Sequence, residues 1–266
     1  MSSKKIGIVG YGYVGKAIHE FFKGKYACLI HDPDQGHRAT REEINACDLG
    51  VICVPTPALP GGSCDSSAVE GVVEWLETPV ILIKSTVEPG TTQKLKSKTG
   101  KRIVFSPEYA GESSYWTPYR FHTDLKEMPF FTFGGDRKDC EALVDFYLPI
   151  AGPVKTYRMT DSLSAELAKY IENTFYAMKV AFCNEMYDLC EKAGSSWNEV
   201  RELWLLDPRI NPMHTAVFKD RRGFSGKCLP KDTLAMIEFG DRIGVDLKIL
   251  KSVISSNEGM LRKNSK

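Results

Sequence analysis

Lys5-Ile6-Gly7-Ile8-Val9-Gly10-Tyr11-Gly12-Tyr13-Val14-Gly15 decides the fold. Its first five residues are a short apolar run rich in β-branched side chains, the signature of a strand. The next six carry glycine at the first, third and sixth places, and residues 16–23 then read as a helix with Ala17, Ile18, Phe21 and Phe22 apolar. A second strand over 27–31 ends at Asp32. Strand, glycine turn, helix, strand and acid form a dinucleotide-binding unit. Gly10 permits the tight turn, Gly12 lets the backbone approach a pyrophosphate, and Gly15 lets helix and strand pack closely. The pyrophosphate then rests on the helix N-terminus, so Gly10, Tyr11, Gly12, Tyr13, Val14 and Gly15 are candidate cofactor contacts. Asp32 lies 22 residues after Gly10, where an acid accepts from the adenosine ribose hydroxyls. A carboxylate there repels a 2′-phosphate, so NAD is expected over NADP.

Outward from this unit, strands are expected over 49–54, 80–84, 102–105, 130–133 and 154–157, with helices near 66–77, 91–98 and 138–148 between several of them. Such alternation predicts an α/β fold, a doubly wound Rossmann-like parallel sheet followed by a long helix and a smaller helical domain. The expected division is an NAD-binding domain over 1–160 and a helical central or dimerisation domain over 161–266. Ligands of open parallel sheets bind beyond the carboxyl ends of the strands. Four polar segments fall there and should converge: the glycine turn, Pro55-Thr56-Pro57, Ser85-Thr86 and Ser106-Pro107-Glu108. Pro60-Gly61-Gly62-Ser63 and residues 111–120 read as surface loops. The second, with Tyr115, Trp116 and Tyr119, suits a lid or a packing patch.

Composition narrows the class. The 266 residues carry 35 basic and 34 acidic side chains with no basic block, which speaks against nucleic acid or an anionic membrane as partner. No apolar run approaches a membrane span, and no secretory signal core is visible. Eight cysteines are scattered without a CxxC pair, a usage that predicts reduced thiols in a cytoplasm and no zinc site.

Asp161 is a plausible N-cap for a long helix that stops at Gly194. Leu163, Leu167, Ile171, Phe175, Met178, Phe182, Met186 and Leu189 recur by three or four and form one stripe, facing a core or another subunit. Off that stripe lie Lys169 and Asn173, one turn apart, with Asn184 three turns further on nearly the same face. They form either a solvated polar face or part of a site. The helix also suits a dimer core over 161–193. Near the end comes Gly223-Phe224-Ser225-Gly226-Lys227-Cys228-Leu229-Pro230-Lys231-Asp232. Gly223 and Gly226 allow a tight bend or close approach to a ligand. Pro230 suits a first helical turn, which places Cys228 at a helix N-terminus. There the helix dipole, Lys227 and Lys231 all favour thiolate, the nucleophilic form. Asp232 follows one turn later on the same face. A buried structural cysteine is the other reading.

These motifs together resemble the nucleotide-sugar 6-dehydrogenases: the UDP-glucose, GDP-mannose and UDP-N-acetylmannosamine dehydrogenases. The likeness covers Gly10-x-Gly12-x-x-Gly15, Val54-Pro55-Thr56-Pro57, Ser85-Thr86-Val87-x-Pro89-Gly90-Thr91-Thr92 and Ser106-Pro107-Glu108-x-x-x-Glu112. It continues through Ala165-Glu166-Leu167-x-Lys169-x-x-x-Asn173, Asn184-Glu185, Asp207-Pro208-Arg209-Ile210 and the stretch around Cys228. The resemblance implies oxidation of a primary alcohol to a carboxylate with two NAD, UDP-glucose to UDP-glucuronate being the leading case. It implies Cys228 as nucleophile through a thiohemiacetal and a thioester, and Lys169 and Asn173 as oxyanion stabilisers and substrate contacts. Asp232, with Thr86 and a water, is implied to handle protons. Glu108 and Glu112 are implied in thioester hydrolysis and substrate positioning. Thr56, Thr86, Glu112 and Lys231 are implied near the nicotinamide half of NAD. Arg209 and Gly223 are implied as substrate contacts, Arg209 reaching over from a neighbouring subunit. Ser225 departs from the family's usual glycine, and the chain stops where family members continue into a nucleotide-clamping domain. A two-electron hydroxyacid-type dehydrogenase and a non-catalytic NAD-binding subunit are the alternatives.

Overall fold

The computed structural model describes residues 4–109 and 124–265, which divide into two compact units. The first takes in 1–57 and 64–169, the second 58–63 and 170–266.

The first unit runs β1 (Lys5–Val9), α1 (Tyr13–Phe22), β2 (Ala27–Asp32), β3 (His37–Arg38), α2 (Arg41–Asn45), β4 (Leu49–Ile52), α3 (Ser67–Trp75), β5 (Ile81–Ile83) and α4 (Thr91–Thr99). It continues through β6 (Ile103–Phe105), β7 (Phe130–Gly134), α5 (Arg137–Ala151) and β8 (Thr156–Thr160). The strands form one sheet in the order β3-β2-β1-β4-β5-β6-β7-β8. β2, β1, β4, β5 and β6 are parallel; β3 joins β2 antiparallel, β7 joins β6 antiparallel, and β8 is parallel to β7. Every residue of β4, β5 and β6 is buried, as expected where both sheet faces are covered. Two apolar cores account for this: one includes Ile8, Phe22, Phe133 and Tyr147, the other Ile52, Leu76, Ile81 and Leu95. Strand order reverses between β1 and β4, so the switch point lies at the end of β1, where the glycine turn begins.

Two local readings change. The last strand starts at Thr156, not 154, because Val154 is 90% exposed and the register with β7 begins at Phe130↔Thr156. Between β2 and β4 the chain also forms β3 and α2. The latter starts with a capping box in which Thr40 Oγ1 accepts from Glu43 N–H (3.2 Å) and Glu43 Oε2 from Thr40 N–H (2.8 Å).

The long helix α6 (Ser162–Ala193) begins where Asp161 Oδ1 accepts from Ser164 N–H. Its first turns belong to the first unit. Ala165 joins the core, and the buried carboxylate of Glu166 accepts from Gly90 N–H (2.6 Å) and Thr92 N–H (2.9 Å) at the start of α4. The break between units therefore falls within α6.

The second unit holds the rest of α6, with α7 (Trp197–Trp204), α8 (Leu229–Arg242) and α9 (Lys248–Leu261). Ala177, Ala181, Phe224 and Val253 form one core there and Cys183, Cys190 and Trp197 another. Pro60-Gly61-Gly62-Ser63 is part of this unit rather than a plain surface loop: Gly62 is buried, and a Cβ on it would lie 3.1 Å from the Leu234 side chain. On α6 the stripe divides: Met178 and Met186 pack against the cores of this unit, whereas Ile171, Phe175, Phe182 and Leu189 are exposed, so the stripe as a whole is not the buried face of the helix. Tyr170, Asn173, Ala177, Ala181 and Asn184 form the buried face instead, which rules out a solvated polar face for the asparagines.

Candidate active site

In the first unit the glycine turn has the geometry its residues demand. Gly10 sits at φ +89°, and a Cβ on Gly15 would lie 2.1 Å from Gly10 O. Gly12 is the N-cap of α1 with no side chain capping it, and a Cβ there would meet nothing within 4 Å. Open space thus lies against the helix N-terminus, as a bound diphosphate requires. Asp32 is half-buried and held by two main-chain donors, Tyr11 N–H to Oδ2 (2.6 Å) and Gln35 N–H to Oδ1 (3.2 Å). Each carboxylate oxygen keeps a lone pair for a ribose hydroxyl. The Tyr11 hydroxyl meets His19 Nδ1 at 2.7 Å, and the His37 ring lies edge-on to Tyr11 at 4.2 Å. These residues fit the adenosine and diphosphate of NAD.

The polar segments after β1, β4, β5 and β6 lie at one end of the sheet, because those strands are parallel neighbours. Thr56 Oγ1 donates to Thr86 O (2.7 Å) and Ser85 Oγ to Val54 O (2.7 Å), tying two of the loops together. Glu108 is buried with Lys84: Nζ lies 3.3 Å from Oε2, with side chains 5% and 6% exposed. Lys84 also donates to Pro107 O (3.0 Å) and Ser106 Oγ (3.3 Å), while Glu108 Oε1 accepts from Tyr109 N–H (2.8 Å). Lys84 was not among the expected site residues. Its one signal is a lysine ending an apolar strand directly before Ser85-Thr86. Burial pushes the neighbouring Cys53 thiol and Tyr147 phenol far up. Lys169 Nζ stands 5.1 Å from the centre of the Tyr109 ring. Glu112 and the segment 111–120 lie outside the described residues.

In the second unit Cys228 is the N-cap of α8, with Pro230 in the first turn. It is the one exposed cysteine of the eight, and none is in a disulfide. Burial pushes the Cys28, Cys140 and Cys183 thiols up to about 11. One turn on, Asp232 is 1% exposed; its Oδ2 accepts from Asn173 Nδ2 (2.5 Å) and its Oδ1 from Lys231 Nζ (2.6 Å). The expected Asn173, Asp232 and Lys231 are therefore one cluster, while Asn184 turns to Arg222 and Gly223. Arg209 is exposed and grips Asp207 in a fork (Nη2–Oδ2 2.6 Å). Among the described residues no three His, Cys, Asp or Glu side chains form a group that could hold a metal, and no helix is long and apolar enough to cross a membrane.

Sheet order, glycine turn and the held Asp32 define an NAD-binding α/β protein, with a second, helical unit that presents a thiol at a helix start. Two family models match it: the NAD binding domain of the UDP-glucose/GDP-mannose dehydrogenase family over residues 34–142, and that family's central domain over 163–259. The UDP-glucose 6-dehydrogenase of Rickettsia prowazekii is 33% identical over 81% of this chain and 50% of its own length. UDP-glucose 6-dehydrogenase TuaD of Bacillus subtilis is 28% identical over 96% of this chain and 63% of its own. A UDP-glucose dehydrogenase structure from Pyrobaculum islandicum superimposes with a TM-score of 0.81 at 27% identity, covering 98% of this chain and 69% of that one. The chain belongs to the UDP-glucose/GDP-mannose dehydrogenase family. It spans about half the length of the Rickettsia relatives it matches.

Proposed function

We propose that the chain carries out NAD-dependent oxidation of the primary alcohol of a nucleotide sugar to the carboxylate, with UDP-glucose as the leading substrate. The observation that carries this reading is Cys228: an exposed cysteine at the N-terminus of α8, one turn before a buried Asp232 that Asn173 and Lys231 hold. Two NAD, held in turn by the glycine turn and Asp32, would supply the hydride acceptors for the two oxidations. Cys228 adds to the aldehyde carbonyl formed in the first, giving a thiohemiacetal, and the second yields a thioester that water hydrolyses. Asn173 and Lys169 offer donors to the oxyanion of the addition step, and Asp232 is the proton-handling carboxylate. Glu108 and Glu112 act in hydrolysis and positioning, and Thr56, Thr86 and Lys231 at the nicotinamide end. Gly223 and Arg209 contact the substrate. The purified protein, given a panel of nucleotide sugars, should form two NADH per sugar consumed. One NADH per sugar would refute the thioester route.

A second reading is an NAD-binding subunit that is completed by another chain. NAD binding without turnover until such a chain is added would support it. A second copy of this chain is the proposed cover for Ile171, Phe175, Phe182 and Leu189, which are spaced as one apolar helix face and exposed. Phe175→Asp should then shift the protein to monomer in sedimentation; an unchanged mass would reject that interface.

A further inference from the structure

The turn that leads into Cys228 has no helix or strand to satisfy its backbone, and three asparagines take that role. Residues 222–224 carry six backbone polar groups, each needing a partner when buried. Asn264 Oδ1 accepts from Arg222 N–H (2.8 Å), and its Nδ2 donates to Arg222 O (3.0 Å). Asn257 Oδ1 accepts from Phe224 N–H (2.7 Å), and its Nδ2 donates to Phe224 O (2.9 Å). Gly223 N–H donates to Asn184 Oδ1 (3.1 Å). An asparagine amide carries one donor group and one acceptor, so each of Asn257 and Asn264 pairs with a residue as a neighbouring strand would.

The surroundings make this clamp rigid. Arg222 is buried: Nε donates to Asn184 Oδ1 (2.7 Å), Nη2 to Asn184 O (2.8 Å), and Nη1 pairs with Asp188 (2.9 Å). Gly223 sits at φ +73°, and a Cβ on it would fall 2.4 Å from Asn257 Oδ1, so asparagine fills the space that glycine leaves. Phe224 is sealed in the core with Ala177, Ala181 and Val253. Immediately beyond it, Ser225, Gly226, Lys227 and Cys228 are all exposed. The sulfur therefore stands on a short exposed lead between two fixed points, the clamped Phe224 and the first turn of α8.

We infer that Asn257 on α9 and Asn264 in the turn that follows it are positioning residues for Cys228, holding the glycine turn so that the sulfur stays at the N-terminus of α8. This rests on the reading of Cys228 as nucleophile, but its test needs no sugar. The full chain is treated with iodoacetamide across a pH series, and alkylation is read at the Cys228 peptide by mass spectrometry. Loss of the clamp lets the sulfur leave the helix end. Asn257→Ala and Asn264→Ala should then slow alkylation at pH 7 about five- to tenfold, move the midpoint of the profile upward, and converge with the parent at high pH. Asn45→Ala is the control. Asn45 makes the same kind of bonds in the first unit, Nδ2 to Trp75 O (3.0 Å) and Oδ1 from Glu77 N–H (2.9 Å). It should lower the melting temperature and leave the Cys228 profile unchanged. Should Asn257→Ala fail to fold, Asn264→Ala, at an exposed position, decides. Profiles that superimpose on the parent's despite lower melting temperatures, or an Asn45→Ala shift of equal size, would overturn the inference. A shifted profile in a protein that turns over no nucleotide sugar would uphold the positioning and sink the proposed reaction.

Discussion

Each unit buries a carboxylate beside a lysine, and the two pairs are built differently. In the first, Glu108 and Lys84 come from the ends of adjacent strands and are sealed in together. In the second, Lys231 is the sequence neighbour of Asp232 and stays partly exposed, while the buried partner is an amide, Asn173, on another helix. A cation sealed in beside its anion is part of the fold, because removing it strands a charge in the interior. A cation that reaches water leaves the carboxylate other company when it goes. The first arrangement fixes its carboxylate within the fold; the second leaves its carboxylate a cation that reaches water.

The largest expected effect separates the units by function. Cys228→Ala should abolish acid formation, lowering kcat by about 10³-fold or more, with NAD affinity unchanged in titration calorimetry. Loss of NAD binding as well would mean that Cys228 itself helps to hold the cofactor.

Next comes the contrast between the lysines, read by urea denaturation. Lys84→Met should cost about 3–5 kcal/mol, since it removes a buried cation 3.3 Å from the Glu108 carboxylate. Lys231→Met should cost about 1–2 kcal/mol, because Asn173 still donates to Asp232. Equal losses would erase the distinction between the two pairs.

How much of this was legible in the sequence follows from the same contrast. The glycine turn, Asp32, Thr56, Thr86 and Glu108 sit at the ends of parallel strands, and the topology of such sheets puts those ends together. Alternating patterns are thus enough to locate them. Lys84 is not legible there, because a lysine closing a strand reads as a surface charge unless the burial of Glu108 is known. In the helical unit, spacing identifies a face but not what the face meets. Asn173 and Asn184 are both buried, yet one holds Asp232 and the other Arg222. Asn257 and Asn264 left no local signal, since their partners are backbone groups 33 and 42 residues away. The stripe on α6 was visible as periodicity, but periodicity does not say whether a core or another surface receives it.

Glu166 offers a smaller test, a buried carboxylate that relies on two main-chain donors. Glu166→Ala leaves the N–H groups of Gly90 and Thr92 without their acceptor and should cost about 1–3 kcal/mol. Burial raises its pKa above the ordinary 4.5, against the pull of those hydrogen bonds. The folded state then holds this proton to higher pH than the unfolded chain does. Its contribution is full below the ordinary value and declines as pH rises through the folded pKa. The stability gap between parent and variant should therefore narrow as pH rises above 4.5, measured by urea melts at a series of pH values. A gap that widens would mean the hydrogen bonds outweigh burial.

The smallest effect on the fold belongs to Arg209. Its fork to Asp207 is two residues away in sequence and its side chain is 86% exposed, so water and salt screen the pair. Arg209→Ala should leave the melting temperature and NAD affinity where they were. If Arg209 serves a neighbouring copy's substrate, the same change should raise KM for the nucleotide sugar with little change in kcat, since an arginine fork on a diphosphate binds ground state and transition state alike. A fall in kcat at constant KM would instead place the guanidinium at the reacting carbon. No kinetic change at all would confine Arg209 to its own loop, and the substrate contacts would then have to come from elsewhere.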